Sequence, residues 1–138
     1  MSTVNNYNEK IIAEFRANAG RVGGPFDGAP LLLLHTTGAK SGNDRINPMM
    51  YLPDDGRVLV FASAAGADQH PAWYFNLLAN PQVVVEIGTE TYHAVAEPVP
   101  DPERGELYAE QARRYPGFAD YQRKTSRVIP VVALTPTR

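Results

Sequence analysis

Two short turn signals limit what this chain can fold into. Asp54-Asp55-Gly56 separates strand-forming runs at 46–53 and 57–63, and Gly88-Thr89-Glu90 separates runs at 83–87 and 91–97. Links this short, with glycine supplying a positive φ, close antiparallel hairpins. Residues 31–37 add a strand before the first hairpin, and the unbroken run Leu31-Leu32-Leu33-Leu34 predicts cover on both its faces. A last strand is expected at 128–134. Three helices fit the remaining periodic segments. The first is 8–19. The second is 70–79, with Trp73, Leu77 and Leu78 turned inward and Asn80-Pro81 ending it. The third starts with Asp101 as its cap and Pro102 in its first turn, and runs to about Tyr115. A short aromatic segment follows, to Tyr121.

The order is helix, three strands, helix, two strands, helix, strand. Too few strands are separated by helices for a doubly wound parallel sheet. The expected class is α+β: a closed or partly closed β-barrel of about six mainly antiparallel strands, with helices packed outside. Closure also covers sheet edges that would otherwise be exposed. The length of 138 residues suits one domain, read as a helix and connector at 1–28 followed by the barrel at 29–138.

Several function classes drop out. The chain has no cysteine, so disulfides, thiolate zinc sites and cysteine nucleophiles are excluded. His35, His70 and His93 share no metal-ligand spacing, and no metal is expected. Ser41 and Ser63 lack the His/Asp arrangement of a hydrolase. A net charge of −2 gives no global attraction to nucleic acid, so no nucleic-acid partner is expected. The longest apolar runs fall far short of the roughly 20 residues of a membrane span. Residues 1–6 are polar and read as loose, without the apolar core of a signal peptide; the expectation is a cytoplasmic protein. The first helix carries Ile11, Ile12, Phe15 and Ala19 on one side. That stripe fits a helix packed on the core. A second reading is peripheral contact with a membrane, hence membrane association, although its mixed charges weaken this.

Residues 38–45, Gly38-Ala39-Lys40-Ser41-Gly42-Asn43-Asp44-Arg45, join two of the expected strands. Two glycines allow a tight backbone that turns amides toward a ligand. Lys40 and Arg45 can converge on an anion, with hydroxyl donors from Thr37 and Ser41. A nucleotide P-loop needs glycine directly before the lysine and a helix after it; here Ala39 precedes and a strand follows. The local pattern therefore reads as a phosphate or carboxylate cradle, or as a solvated basic turn.

The wider pattern bears on that choice. The series His35-Thr36-Thr37-Gly38-Ala39-Lys40-Ser41-Gly42, then Arg45-Ile46-Asn47-Pro48-Met49-Met50-Tyr51, leads to Phe61-Ala62-Ser63 and Gly66. His70-Pro71-Ala72-Trp73-Tyr74, Asn76-Leu77 and Ala79-Asn80-Pro81 come next, then Tyr115-Pro116, Asp120-Tyr121-Gln122 and Ile129-Pro130-Val131-Val132. From about residue 29 onward this resembles the deazaflavin-dependent nitroreductase family of flavin/deazaflavin oxidoreductases.

The resemblance implies a split β-barrel, FMN-binding-like, that uses coenzyme F420, an 8-hydroxy-5-deazaflavin, as hydride donor. It assigns Lys40, Ser41 and Arg45 to the cofactor's phosphate and polyglutamate tail. It places Pro48, Met49 and Met50 along the deazaflavin, Ala62, Ser63, Ala64, Ala65 and Gly66 at its other edge, and Ala72 and Trp73 closing the pocket. Ser63, Tyr115 and Tyr121 are the candidate catalytic groups, donating hydrogen bonds to a developing anion on the acceptor. That acceptor is a small electron-poor molecule: a quinone, an activated alkene or a nitroaromatic. Two departures stand out. Ala64-Ala65 replaces the Lys-Gly of many relatives, and Phe118 and Met50 replace hydroxyl-bearing residues, which predicts weak use of nitroimidazoles. On the residues alone, Tyr115, Phe118 and Tyr121 also fit a core cluster, and Trp73 fits core packing as well as cofactor contact. The alternatives are a split-barrel reductase using FMN and a non-catalytic F420 carrier. Both a monomer and a homodimer fit the sequence.

Overall fold

The computed structural model describes residues 6–23 and 28–137, the side chains of 6 and 7 excepted. The expectation for residues 1–5 and the connector segment 24–27 lie outside the described residues. Helix α1 (Asn6–Ala17) precedes strands β1 (Leu31–Thr37), β2 (Asp44–Met50), β3 (Leu52–Asp54) and β4 (Arg57–Phe61). Then come α2 (Ala72–Ala79), β5 (Gln82–Ile87), β6 (Glu90–Pro98), α3 (Glu103–Arg114), α4 (Gly117–Lys124) and β7 (Val131–Pro136). All seven strands form one antiparallel sheet in the order β2-β1-β5-β6-β7-β4-β3.

That order corrects the expectation of six strands. The run at 46–53 is two strands rather than one. β2 pairs with β1 from Leu31↔Met50 to Thr37↔Asp44, while β3 pairs with β4 from Leu52↔Leu59 to Asp54↔Arg57. They lie at opposite edges of the sheet, so Tyr51 carries the chain across the seam of a curled barrel, with its N–H on the Pro30 carbonyl (3.2 Å). Both halves are strand-forming, so the run itself carries no sign of the break. Pro48 is tolerated because β2 has only one partner strand.

Three hydrophobic clusters account for the layers. Leu32, Leu34, Val60, Val85, Val132 and Leu134 fill the barrel interior, with Leu77 of α2 among them. Leu59, Phe61, Ile129 and Val131 face the other way and pack against Tyr108 of α3 and Phe118 of α4. Leu31 and Leu33 pack against Ile11 and Phe15 of α1. The alternation along β1 is the reason all four leucines are buried, as expected of the unbroken run. Each such side chain contributes roughly 1.5–3 kcal/mol.

The apolar stripe of α1 therefore faces the core, which leaves the membrane-docking reading without its lipid face. Ala19 is no part of that stripe: it is exposed, past the helix end, at φ +55°. Gly20 follows at φ +92°, and a Cβ there would lie 2.8 Å from the Gly88 Cα, so only glycine lets the helix end touch the β5–β6 turn. Arg16 binds Glu86 of β5 through two nitrogens (3.2 and 2.7 Å), and His35 of β1 lies 2.5 Å from the same carboxylate. The hydrogen bond from Arg16, then that from His35, holds the Glu86 carboxyl below its ordinary range. No helix among the described residues is long and apolar enough to cross a membrane.

Other differences are local. α2 starts at Ala72, because Pro71 is extended, and Leu78 is 49% exposed. Leu77 and the half-buried Trp73, one turn apart, form its inward side. The aromatic segment after Tyr115 is a helix, α4, whose eight residues are too few to show a period. β7 begins at Val131 rather than at 128, where Val128 is exposed.

Gln111 of α3 is fully buried, and neither its amide nitrogen nor its oxygen has a partner among the described residues. An unsatisfied buried amide costs about 1–3 kcal/mol. Gln111→Met, close in shape and apolar, should stabilise the fold by about that amount. Urea denaturation should show a higher midpoint with unchanged slope; an unchanged or lower midpoint would mean that the amide is satisfied.

Candidate functional site

The loop joining β1 to β2 is fixed from inside and from α2. The Gly38 N–H bonds to the Asn43 carbonyl (2.8 Å), the Gly42 N–H to the Gly38 carbonyl (2.9 Å), and the Asn43 N–H to Ser41 Oγ (3.1 Å). Asn76 of α2 accepts the Ala39 N–H on Oδ1 (3.0 Å) and donates from Nδ2 to Oγ1 of the buried Thr36 (3.2 Å). The loop is thus tied within itself and to α2, while Lys40, Ser41 and Arg45 stay exposed. Among the described residues neither Lys40 nor Arg45 has a carboxylate within ion-pair distance.

A cleft of about 620 Å³ lies between this loop, β2 and the start of α2. Gly38, Ala39, Lys40, Ser41 and Arg45 line it from the loop, Asn47 from β2, and Pro71, Ala72, Trp73, Phe75 and Asn76 from α2. Trp73 also packs on the barrel interior, so it both fills the core and lines the cleft. The loop side contributes two cations and polar donors to the lining, and the α2 side an indole and a phenyl ring. Such a cleft suits a ligand that is anionic at one end and flat and apolar at the other.

The pleat of β2 divides the expected deazaflavin contacts. Arg45, Asn47 and Met49 share one face, and Met49 packs on the interior cluster. Pro48 and Met50 belong to the opposite face, where Met50 meets the cluster under α1. Only Met49 of the three shares the face of Arg45 and Asn47.

The second group of expected residues lies elsewhere, at the turn after β4. Ala62 and Ser63 are buried, Ala64 and Ala65 are exposed, and Gly66 is buried again. Ala64, Ala65 and Gly66 are all left-handed, with φ of +46°, +53° and +84°. The turn rests on α4, where Gly66 faces the Tyr121 carbonyl and the Lys124 side chain. None of its residues lines the 620 Å³ cleft. The two groups meet through His70, just before Pro71 and Ala72, whose Nδ1 lies 3.0 Å from Arg127 Nη1. Burial, and then the charge of Arg127, lowers the pKa of His70.

Tyr115 and Tyr121 are half-buried against the outer cluster, and Phe118 is buried within it, with ring centroids 5.7 Å from Phe61 and 5.2 Å from Tyr121. Phe118 is thus a packing residue. The Tyr108 hydroxyl donates to the Phe118 carbonyl (2.6 Å), and burial pushes its pKa up to about 12. Among the described residues no group of three or more His, Asp or Glu side chains is placed to hold a metal.

Sequence reasoning gave Asn47 and Asn76 only as members of the resembling motifs, with no role, and did not single out Phe75 or Arg127. Phe75 and Asn76 stand beside Trp73, and an exposed aromatic next to an amide on a short helix was the available signal. Arg127 has none, because its partners, three backbone carbonyls and the His70 ring, lie about 60 residues away.

The chain matches the family model described as F420H(2)-dependent quinone reductase over residues 9–136. It is 42% identical over 130 residues to the F420H(2)-dependent quinone reductase Rv1261c of Mycobacterium tuberculosis (strain ATCC 25618 / H37Rv), covering 89% of this chain and 85% of that protein. Among solved structures, an F420-H2 dependent reductase (FDR-A) superposes with a TM-score of 0.70 at 40% identity, covering 76% of this chain and 93% of that one. A protein described as a domain-swapped dimer superposes with a TM-score of 0.72 at 36% identity, covering 95% and 96%. A fold with a curled antiparallel sheet, a matched model over nearly the whole chain and relatives above 35% identity lead to one assignment: the chain belongs to the F420H(2)-dependent quinone reductase family.

Proposed function

We propose that this chain binds reduced F420 with its tail on the loop at 38–45 and its ring toward Trp73, and reduces a quinone to the hydroquinone. The observation that carries this reading is the cleft itself, lined by Lys40 and Arg45, neither with a carboxylate within ion-pair distance among the described residues, and by Trp73 and Phe75. Its donor set fits the cofactor. Lys40, Ser41 and Arg45 would hold the phosphate and carboxylates; Met49, Ala72 and Trp73 would flank the ring. The resemblance also assigns Pro48, Met50, Ala62 and the turn at 63–66, of which Pro48 and Met50 stand on the opposite face of β2 and the turn lies outside the cleft.

When bound, reduced F420 supplies a hydride, and the protein's part is to orient, polarise and exclude competing reactions. The Ser63 hydroxyl does not cap the turn that follows it, which leaves it able to donate to an acceptor oxygen as charge develops there. Tyr121, on the helix that carries the Ser63 turn, and Tyr115 are further donors for the same oxygen. With one proton from solvent, hydride addition balances the conversion of quinone to hydroquinone. Alkenes and nitroaromatics of similar electron demand are secondary acceptors in this reading.

Quenching of Trp73 on titration with F420 and with FMN tests the reading. F420 should bind at least about tenfold more tightly, which is about 1.4 kcal/mol, and the F420-loaded reduced enzyme should be oxidised by a soluble quinone. Preference for FMN would overturn the cofactor assignment. F420 binding without quinone-dependent oxidation would make the chain a carrier.

A further inference from the structure

Arg127, in the segment between α4 and β7, is half-buried and gathers four acceptors. Nε donates to the Ala67 carbonyl (2.8 Å), Nη1 to the Ala62 carbonyl (3.1 Å) and Nη2 to the Ser63 carbonyl (2.9 Å), while Nη1 also meets His70 Nδ1 (3.0 Å). Three of the four are carbonyls of one turn, taken from both sides of its left-handed residues. A planar fork of donors can do this; an ammonium cannot span all three. The turn needs such a lock. Two successive alanines at φ +46° and +53° are disfavoured for any residue with a Cβ, and persist only where their surroundings over-determine them. Arg127 also has no carboxylate within ion-pair distance among the described residues, so its charge is met by carbonyl dipoles and not cancelled.

We propose that Arg127 is a positioning residue for quinone reduction: it locks the 62–67 turn so that the Ser63 hydroxyl is presented to the acceptor oxygen, and it places an uncancelled positive charge behind that turn. The proposal rests on the reading of Ser63 as the donor to that oxygen. Two consequences separate it from a merely structural role. The effect falls on turnover more than on cofactor affinity, because the anionic tail is held at Lys40 and Arg45 on a different loop and the 62–66 turn borders only the ring in this reading. The effect also works through Ser63, so the two residues are coupled.

Arg127→Lys, Ser63→Ala and the double variant test this in steady-state reduction of a soluble benzoquinone, with F420 affinity measured separately. Arg127→Lys should lower kcat about tenfold or more, with the F420 Kd changed less than about threefold. In the double variant the losses should fall well short of multiplying, since Ser63 contributes only where Arg127 holds it. If Arg127→Lys does not fold, His70→Phe removes one of the four partners without touching the turn, and should give a smaller loss of kcat in the same direction. Ser63→Ala impaired with Arg127→Lys, or the His70 variant, fully active overturns the proposal alone. Losses that multiply overturn it too, leaving Arg127 a structural residue. Ser63→Ala fully active overturns the reading of Ser63, and the proposal with it.

Discussion

With Lys40 and Arg45 both replaced by alanine, F420 should bind roughly 30- to 100-fold more weakly, while the melting temperature stays where it was. Neither cation has a carboxylate partner among the described residues, so removing them breaks no ion pair and leaves no anion stranded. The loop keeps its shape through the Gly38, Gly42 and Asn76 hydrogen bonds, none of which uses either side chain. What is lost is attraction for a multiply charged tail. Exposed charges are screened, so the wild-type affinity should fall as salt rises from about 0.01 to 0.15 M, and the double variant should show a flatter dependence. Arg45→Lys should lie between the two, because the charge stays and the two-pronged contact goes. An unchanged Kd in the double variant would mean that these are ordinary surface cations on a solvated turn.

The legible parts of this protein were those whose cause is local. Asp54-Asp55-Gly56 and Gly88-Thr89-Glu90 close hairpins because the turn chemistry lies within three residues. The leucines of β1 announce two covered faces because the pleat alternates. Lys40, Ser41 and Arg45 could be picked out for the same reason: one short loop carries them all. Where partners lie far apart in the chain, the sequence was silent. The break at Tyr51 depends on which distant strands β2 and β3 join. Arg127 acts through carbonyls of another loop. A side chain that serves backbone atoms elsewhere leaves no periodicity and no motif. The left-handed pair Ala64-Ala65 was hidden too, since alanine gives no local sign of positive φ. Phe118 shows the limit of a local pattern: the residues alone fit a core cluster as well as a pocket, and the packing among Phe61, Tyr108 and Tyr121 follows from a helix too short to show its period.

Gly66→Ala should cost about 2–4 kcal/mol and lower turnover, while Gly42→Ala should cost only about 1 kcal/mol. Both glycines are left-handed, at φ +84° and +72°, so the conformational penalty of adding a Cβ is similar. Ala64 and Ala65 show that alanine is accommodated in this region of the same turn. The difference lies in the surroundings. A Cβ on Gly42 meets nothing within 4 Å, whereas one on Gly66 would sit 2.9 Å from the Tyr121 carbonyl oxygen and 3.0 Å from Lys124 Cβ. The oxygen belongs to helix backbone and cannot swing aside, so either α4 or the turn must move. Movement of the turn displaces Ser63, three residues away, and movement of α4 displaces Tyr121; either change reaches the proposed donors to the acceptor oxygen. Chemical denaturation of the two variants, with quinone turnover measured well below their melting temperatures, separates stability from alignment. Equal stabilities would mean that the turn is not seated on α4. A destabilised Gly66→Ala that still turns over at the wild-type rate would place the reacting centre away from Ser63 and Tyr121.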